Sequence, residues 1–197
     1  MQKDREISPE FLDLAKRLLS NNTIDEILEL SERYFVKSQQ MKVKRRLHEL
    51  LKKQTPNNSM NAKPLLNYAA IDLFHLDSRS RTVVETASAS IDYLCGFLLQ
   101  EHGIDRNNTP MGGVITKLES DNILEPELIE SLQIFNRIVY VPAKHHFPDL
   151  PDKSHLFSVP DSICILFVVS SLTRTLSSMF TEKHESWHNS EFVGKKL

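Results

Sequence analysis

Nine prolines are spread over 197 residues, and each reads as lying at the edge of an apolar-periodic segment or between two such segments. A proline inside a helix removes a hydrogen bond and clashes with the preceding turn. This placement therefore leaves long uninterrupted windows, and in those windows apolar residues recur at helical spacing. Only five glycines occur, and the Asn-Gly and Asp-Gly pairs that favour tight hairpins are absent. The chain is expected to be all-α, an antiparallel helical bundle with mostly short connections.

Ser8, Pro9 and Glu10 have the pattern of an N-cap followed by proline at the first helical position. Phe11, Leu14, Ala15 and Leu18 follow at helical spacing. Thr23 and Glu26 have capping-box spacing, opening a helix that buries Ile24, Ile27, Leu28, Ser31, Tyr34 and Phe35. Val43, Leu47, Leu50 and Leu51 form a third stripe, and Leu66, Ala69, Ala70 and Leu73 a short fourth one. The longest helix should run from about Ser80 to His102, with Gly103 as its C-terminal cap. Short helices follow Pro110 and Pro126. The last helix starts near Pro160. Its run 163–169 is β-branched enough for a strand, but the period that continues to Phe180 decides for helix. Residues 55–61 form the clearest linker, giving a helical extension over 1–60 and a bundle over 61–197.

Composition removes several classes. Hydrophobic residues make up 40% and charged residues 25%, ordinary globular usage. The two cysteines, Cys95 and Cys164, sit in apolar stretches, which suits buried thiols in a reducing compartment rather than a disulfide scaffold. Residues 1–6 are polar and do not read as a secretory leader, and the longest apolar run, Ile163 to Val169, is too short for a span. A cytoplasmic protein without a membrane is the expectation. Net charge is −2, so the whole chain is no polycation; residues 1–60 nevertheless hold 12 basic against 9 acidic residues.

One stretch concentrates chemistry. A helix through Phe135 delivers Asn136 and Arg137 to its C-terminal end, and the following loop brings up Lys144, His145 and His146. Arginine holds phosphate through a two-pronged contact. A neighbouring histidine works as a general base near neutral pH. Together they suit RNA cleavage without a metal: the base takes the 2′-hydroxyl proton and the cations stabilise the charged phosphorane.

The order of long helix, short connection, helix, Asn136 and Arg137, Lys144 and His145, then a closing apolar helix resembles the HEPN superfamily. Glu85, Thr86 and Ala87 on the long helix are also similar to the helix that precedes the family's motif. These are small helical bundles of prokaryotic toxin–antitoxin and phage-defence systems, used also as RNA- or nucleotide-binding modules. The resemblance covers about residues 80–180. It implies a metal-independent endoribonuclease or a noncatalytic relative, a homodimer with two facing sites, and an antitoxin or toxin as protein partner. Arg137 matches the family's arginine, His145 or else His146 its histidine, and Asn136 a supporting polar group. The chain departs from the pattern in its spacing: seven residues separate Arg137 from His145, where the family has four to six. Ile138 follows the arginine where a polar residue is common, and Pro142 interrupts the interval. The architecture therefore transfers better than the activity.

Three further features compete. Lys42, Lys44, Arg45, Arg46, His48, Lys52 and Lys53 give one helix a basic face, with Lys44, Arg45 and Arg46 the candidate RNA contacts beside Lys144. No aromatic residue is interleaved there, which weakens stacking on single strands. His145, His146, Asp149, Asp152 and His155 share a loop, but their spacing fits no metal-ligand pattern. His184, Glu185 and His188 match the zinc-protease spacing H-E-x-x-H, yet only nine residues follow to supply a third ligand. No metal and no cofactor are expected. Against the RNA-directed reading stands a non-enzymatic helical dimerisation or interaction protein. Elemental analysis after zinc addition is expected to find none bound; one zinc per chain, lost on His184→Ala, would instead establish a metal site.

Overall fold

The computed structural model describes residues 5–54, 76–144 and 157–180. No strand occurs among them. The helices are α1 (Pro9–Leu18), α2 (Asn21–Tyr34), α3 (Gln40–Gln54), α4 (Leu76–Glu101), α5 (Met111–Ser120), α6 (Pro126–Phe135), a π-helical turn (Asn136–Tyr140), α7 (Val141–Lys144) and α8 (Val159–Ser177). The fourth stripe, the 55–61 linker and the 145–156 loop lie outside the described residues.

α8 is the axis of the bundle. Every residue from Pro160 to Thr173 is buried. A helix apolar around its whole circumference has to be surrounded, and α1, α2, α3 and α4 all pack against this one. The N-terminal helices therefore share a single core with the rest: Leu14, Ile27 and Leu47 belong to the same buried cluster as Ile91, Phe135 and Val169. α8 is also long and apolar enough to cross a membrane, by length and composition only; here most of it is enclosed by its neighbours.

Polar side chains fix how α8 meets α1. Asp161 accepts from the Ser8 amide at 2.7 Å and from the Ser8 hydroxyl at 3.0 Å. The Cys164 thiol lies 3.6 Å from the Phe11 carbonyl, and the Ser171 hydroxyl donates to the Leu18 carbonyl at 3.0 Å. All three pairs are separated by the same 153 residues. A constant offset means that both helices advance in the same direction, so α1 and α8 run parallel. α2 and α3, by contrast, form the expected antiparallel hairpin: Glu26 near the start of α2 meets Arg46 in mid-α3 at 2.7 Å.

Several ends differ from the sequence reading. Ser20, not Thr23, caps α2, accepting from the Thr23 amide. Glu26 is consequently released from a capping box and pairs with Arg46. α4 begins four residues earlier than Ser80. Gly103 does close α4 with φ +75°, and the Ile104 amide reaches back to Leu99 at 3.0 Å. The capping box that forms belongs to α8, between Ser158 and Asp161. Pro142 lies within helical backbone instead of beyond it. The π turn just upstream accounts for that: the Val141 amide bonds five residues back, to Asn136, and the widened turn accommodates the proline ring.

Asp161 thus holds two helix N-termini with one carboxylate, since the Ser158 amide also donates to it at 3.3 Å. Asp161→Ala is expected to cost about 2–4 kcal/mol in urea unfolding, because it strands the amides of Ser8 and Ser158. A cost below about 0.5 kcal/mol would mean that apolar contact alone sets the α1–α8 pairing.

Candidate functional site

Of the residues singled out in the sequence, Asn136 and Arg137 lie on the π turn and Lys144 ends α7, and Lys144 belongs to a cluster around Asp92. This carboxylate sits in the middle of α4 and is only 6% exposed. Burying an ionised carboxylate is tolerated only when it is paired and hydrogen-bonded. Arg106 supplies the first partner, with Nη2 donating to Asp92 Oδ1 at 2.6 Å and Nη1 donating to the Asp92 carbonyl at 3.2 Å. The backbone positions that guanidinium: Asn107 and Asn108 both adopt positive φ, 47° and 60°, folding the chain so that Arg106 Nε also reaches the Thr109 carbonyl. Gly96 leaves room for it, because a Cβ there would lie 2.8 Å from Arg106 Nη1.

Tyr140, at the end of the π turn, donates its hydroxyl to Asp92 Oδ2 at 2.7 Å. Burial, then the hydrogen bond to Asp92 and its charge, push the Tyr140 pKa well above the ordinary phenol value, so the proton stays on the ring oxygen. Lys144 donates to that same oxygen. Its ammonium lies 3.8 Å from Asp92 Oδ2 and 4.4 Å from the centre of the Tyr140 ring. Arg81 closes the assembly by donating from Nε and Nη2 to the Ala143 carbonyl at 3.2 and 3.0 Å. α4 and the 140–144 segment are thereby laced together in antiparallel sense.

Asn136 and Arg137 separate from each other. Asn136 packs against α5, where Gly112 admits it: a Cβ at Gly112 would come within 3.3 Å of its amide nitrogen. Its Oδ1 is buried without a hydrogen-bond partner among the described residues. Arg137 is exposed and makes no hydrogen bond or ion pair among the described residues. His145 and His146 lie outside the described residues, as do His155, His184, Glu185 and His188. Among the described residues no group of three or more potential ligands could hold a metal.

The basic face of α3 does not stand as one stripe. Lys44 is buried with its ammonium 5.7 Å from the centre of the Tyr34 ring, and burial lowers its pKa. Arg46 is held by Glu26 and lies 3.8 Å from Glu49. Arg45 alone of the three is exposed without an ionic partner among the described residues. Lys44 turns inward because it falls between Val43 and Leu47 on the buried side of α3, where its stem packs and only the head needs a partner.

Asp92, Arg106 and Tyr140 escaped the sequence reading. The signal for Asp92 was present: a charge between Ile91, Leu94 and Cys95 in the apolar stripe of a long helix demands a counter-charge. Which cation answers it depends on the fold. Compared with protein-family models, curated proteins and solved structures, the chain matches none.

Cys95 lies one turn beyond Asp92, and its thiol is pushed up to about 12, by burial first and then by the Asp92 charge, with Arg106 opposing. Burial thus keeps the thiol in its protonated, weakly nucleophilic form near neutral pH. The unfolded chain ionises it near 9 and the folded chain does not, so stability is full below pH 9 and falls as pH rises toward the folded value. Unfolding free energy is expected to drop between pH 9 and 11 by about 1.4 kcal/mol per pH unit for this group. Cys95→Ala should show a shallower fall; an unchanged slope would place the cause elsewhere.

Proposed function

We propose that this chain is an RNA-directed helical module of a defence or toxin–antitoxin system, similar to HEPN proteins and active as a cytoplasmic homodimer. The single observation that supports it is Arg137. It projects from a π turn, an uncommon geometry that occurs often at functional sites. It is exposed and carries no counter-charge among the described residues, so its guanidinium is available for a phosphate. A structural arginine would be expected to spend its donors on an acid, as Arg106 does on Asp92 and Arg46 on Glu26.

In the catalytic form of this reading, Arg137 holds the scissile phosphate and His145 takes the 2′-hydroxyl proton. The 2′-oxygen then attacks phosphorus, and the 5′-oxygen leaves to give a 2′,3′-cyclic phosphate. Arg137 stabilises the charge that accumulates on the phosphoryl oxygens. Lys144, immediately before His145 in sequence, contacts Tyr140 and Asp92. The supporting role assigned to Asn136 is carried by its packing against Gly112, which holds the turn that presents Arg137.

Purified protein is expected to cleave a mixed RNA substrate in EDTA, and Arg137→Ala and His145→Ala are each expected to lose about 100-fold or more. Gel filtration should give twice the 22.7 kDa chain mass. RNA binding without cleavage would leave the noncatalytic form. Neither binding nor cleavage by a folded dimer would replace the reading with a helical interaction protein.

A further inference from the structure

The α2–α3 hairpin leaves three large apolar side chains in water. Leu28, Val36 and Met41 are 41%, 45% and 48% exposed. The only other large apolar side chain so exposed among the described residues is Tyr93 on α4. Such residues need no explanation when they are scattered singly, but three on one hairpin do.

The two helices around them carry opposite charge. α2 has four carboxylates and one cation, and α3 has six cations and one carboxylate. Glu26 and Arg46 meet across the seam between the helices at 2.7 Å. Asp25 and Glu32 of α2 are exposed and make no ion pair among the described residues, and the same holds for Lys42 and Arg45 of α3. The seam also fixes where the apolar residues stand. At about 100° per residue, Leu28 lies roughly 200° around α2 from Glu26, and Met41 roughly 140° around α3 from Arg46. Both therefore flank the hairpin on its outer edges, away from the seam, and Val36 lies in the turn that joins the helices.

This face is complementary to itself. A two-fold axis along the hairpin lays α2 of each copy on α3 of the other, so that acid meets base twice. It also keeps each residue at its level along the hairpin. Glu26 is level with Arg46 in an antiparallel pair, so Glu32 is level with Gln40 and Asp25 with Leu47. Glu32 thus comes to the partner's Lys42, and Asp25 to the partner's Arg45, each with an offset of two residues, about 3 Å. Leu28 falls on the same edge as the partner's Met41, and Val36 meets its own copy near the axis. An axis across the hairpin would set α2 on α2 and bring like charges together.

We propose that the outer face of the α2–α3 hairpin is a dimer interface for a second copy of this chain, α2 of each copy lying on α3 of the other. It rests on the reading above only for the expectation of two copies. The contact itself lies on the N-terminal helices, outside the stretch similar to HEPN proteins, and needs no RNA. Lys42 and Arg45 then serve a second protein chain rather than phosphate.

Sedimentation equilibrium of the full chain, over about a hundredfold range of concentration, tests it with two variants. One reverses the acidic face, Asp25→Lys with Glu32→Lys, and the other the basic face, Lys42→Glu with Arg45→Glu. The parent is expected to reach twice the 22.7 kDa chain mass. Each variant alone is expected to raise the dimer dissociation constant about 100-fold or more, because every reversed charge meets its like twice. An equimolar mixture of the two is expected to recover a dimer within about tenfold of the parent, since each reversed face meets its opposite. Circular dichroism melts establish that both variants are folded. If a reversal unfolds the chain, the parent decides: its dissociation constant should rise about tenfold between about 0.1 M and 1 M salt, and a constant that does not rise would overturn the proposal. Dimers that persist in both variants would overturn it and assign the contact to another face. Folded variants that stay monomeric when mixed would overturn it too. A parent monomeric throughout would remove this contact and the homodimer together, with RNA binding and cleavage still measurable on the monomer. Absence of RNA binding by a dimeric, charge-sensitive parent would end the RNA reading and leave this interface standing.

Discussion

The burial of α8 on all sides from Pro160 to Thr173 governs the rest of this structure. A helix with no side facing water cannot be satisfied by one partner, so α1 to α4 all have to close around it. Several of its polar residues are satisfied on the spot, while Thr173 Oγ1 and Ser177 Oγ are buried without a hydrogen-bond partner among the described residues. Ser162 bonds back to the Ser158 carbonyl and Ser171 to the Leu18 carbonyl of α1. Asp161 uses its carboxylate for two helix starts at once. α8 therefore sets directions as well as filling volume: the serines, the cysteine and the aspartate along one side dictate how α1 lies on it, and the branched apolar residues on the other sides fill the remaining contacts.

A second centre, smaller and polar, lies at Asp92. Apolar packing alone would let the 136–144 segment slide against α4, because leucines and valines are tolerant of small shifts. A buried carboxylate shared by a guanidinium and a phenol, with an ammonium on the phenol, is not tolerant in this way. Removing one partner leaves charge uncompensated in the interior. The consequence is that the segment bearing Lys144 is attached to α4 through directional polar contacts, while the apolar core is held by contacts that are individually weak.

Helix content was legible in the sequence because it depends on local period and on where proline and glycine fall. Leu14 and Ala15, Ile24 and Ile27, and Val43 and Leu47 are buried as their spacing requires, but Leu28, placed in the second stripe, is exposed and Leu30 is buried instead. The end signals were less dependable. Thr23 and Glu26 satisfy the capping-box spacing, yet Ser20 wins the cap because it opens an earlier turn. Pro142 reads as lying at the edge of a periodic segment, and the π turn absorbs it into helical backbone. Of the candidate site, the place of Arg137 near the end of a helix and of Lys144 just beyond it could be read from order alone. The direction of Lys44 and the meeting of Asp92 with Arg106 and Tyr140 could not. Those depend on which faces the tertiary packing turns inward, and a one-dimensional period does not carry that information.

The parallel pairing of α1 with α8 has a consequence for how the protein is made. On the ribosome, α1 emerges about 150 residues before the helix whose side chains complete its N-terminal and C-terminal hydrogen bonds. At a synthesis rate of about 5–20 residues per second, it waits some ten seconds or more without its partner. During that time the apolar stripe of Phe11, Leu14 and Ala15 is uncovered, on a ten-residue segment too short to be stably helical alone. Closure of the bundle is thus a long-range event in which α1 docks onto the helix that organises all the others only after the intervening chain has been made. A nascent chain of this design offers chaperones a greasy handle until α8 has emerged.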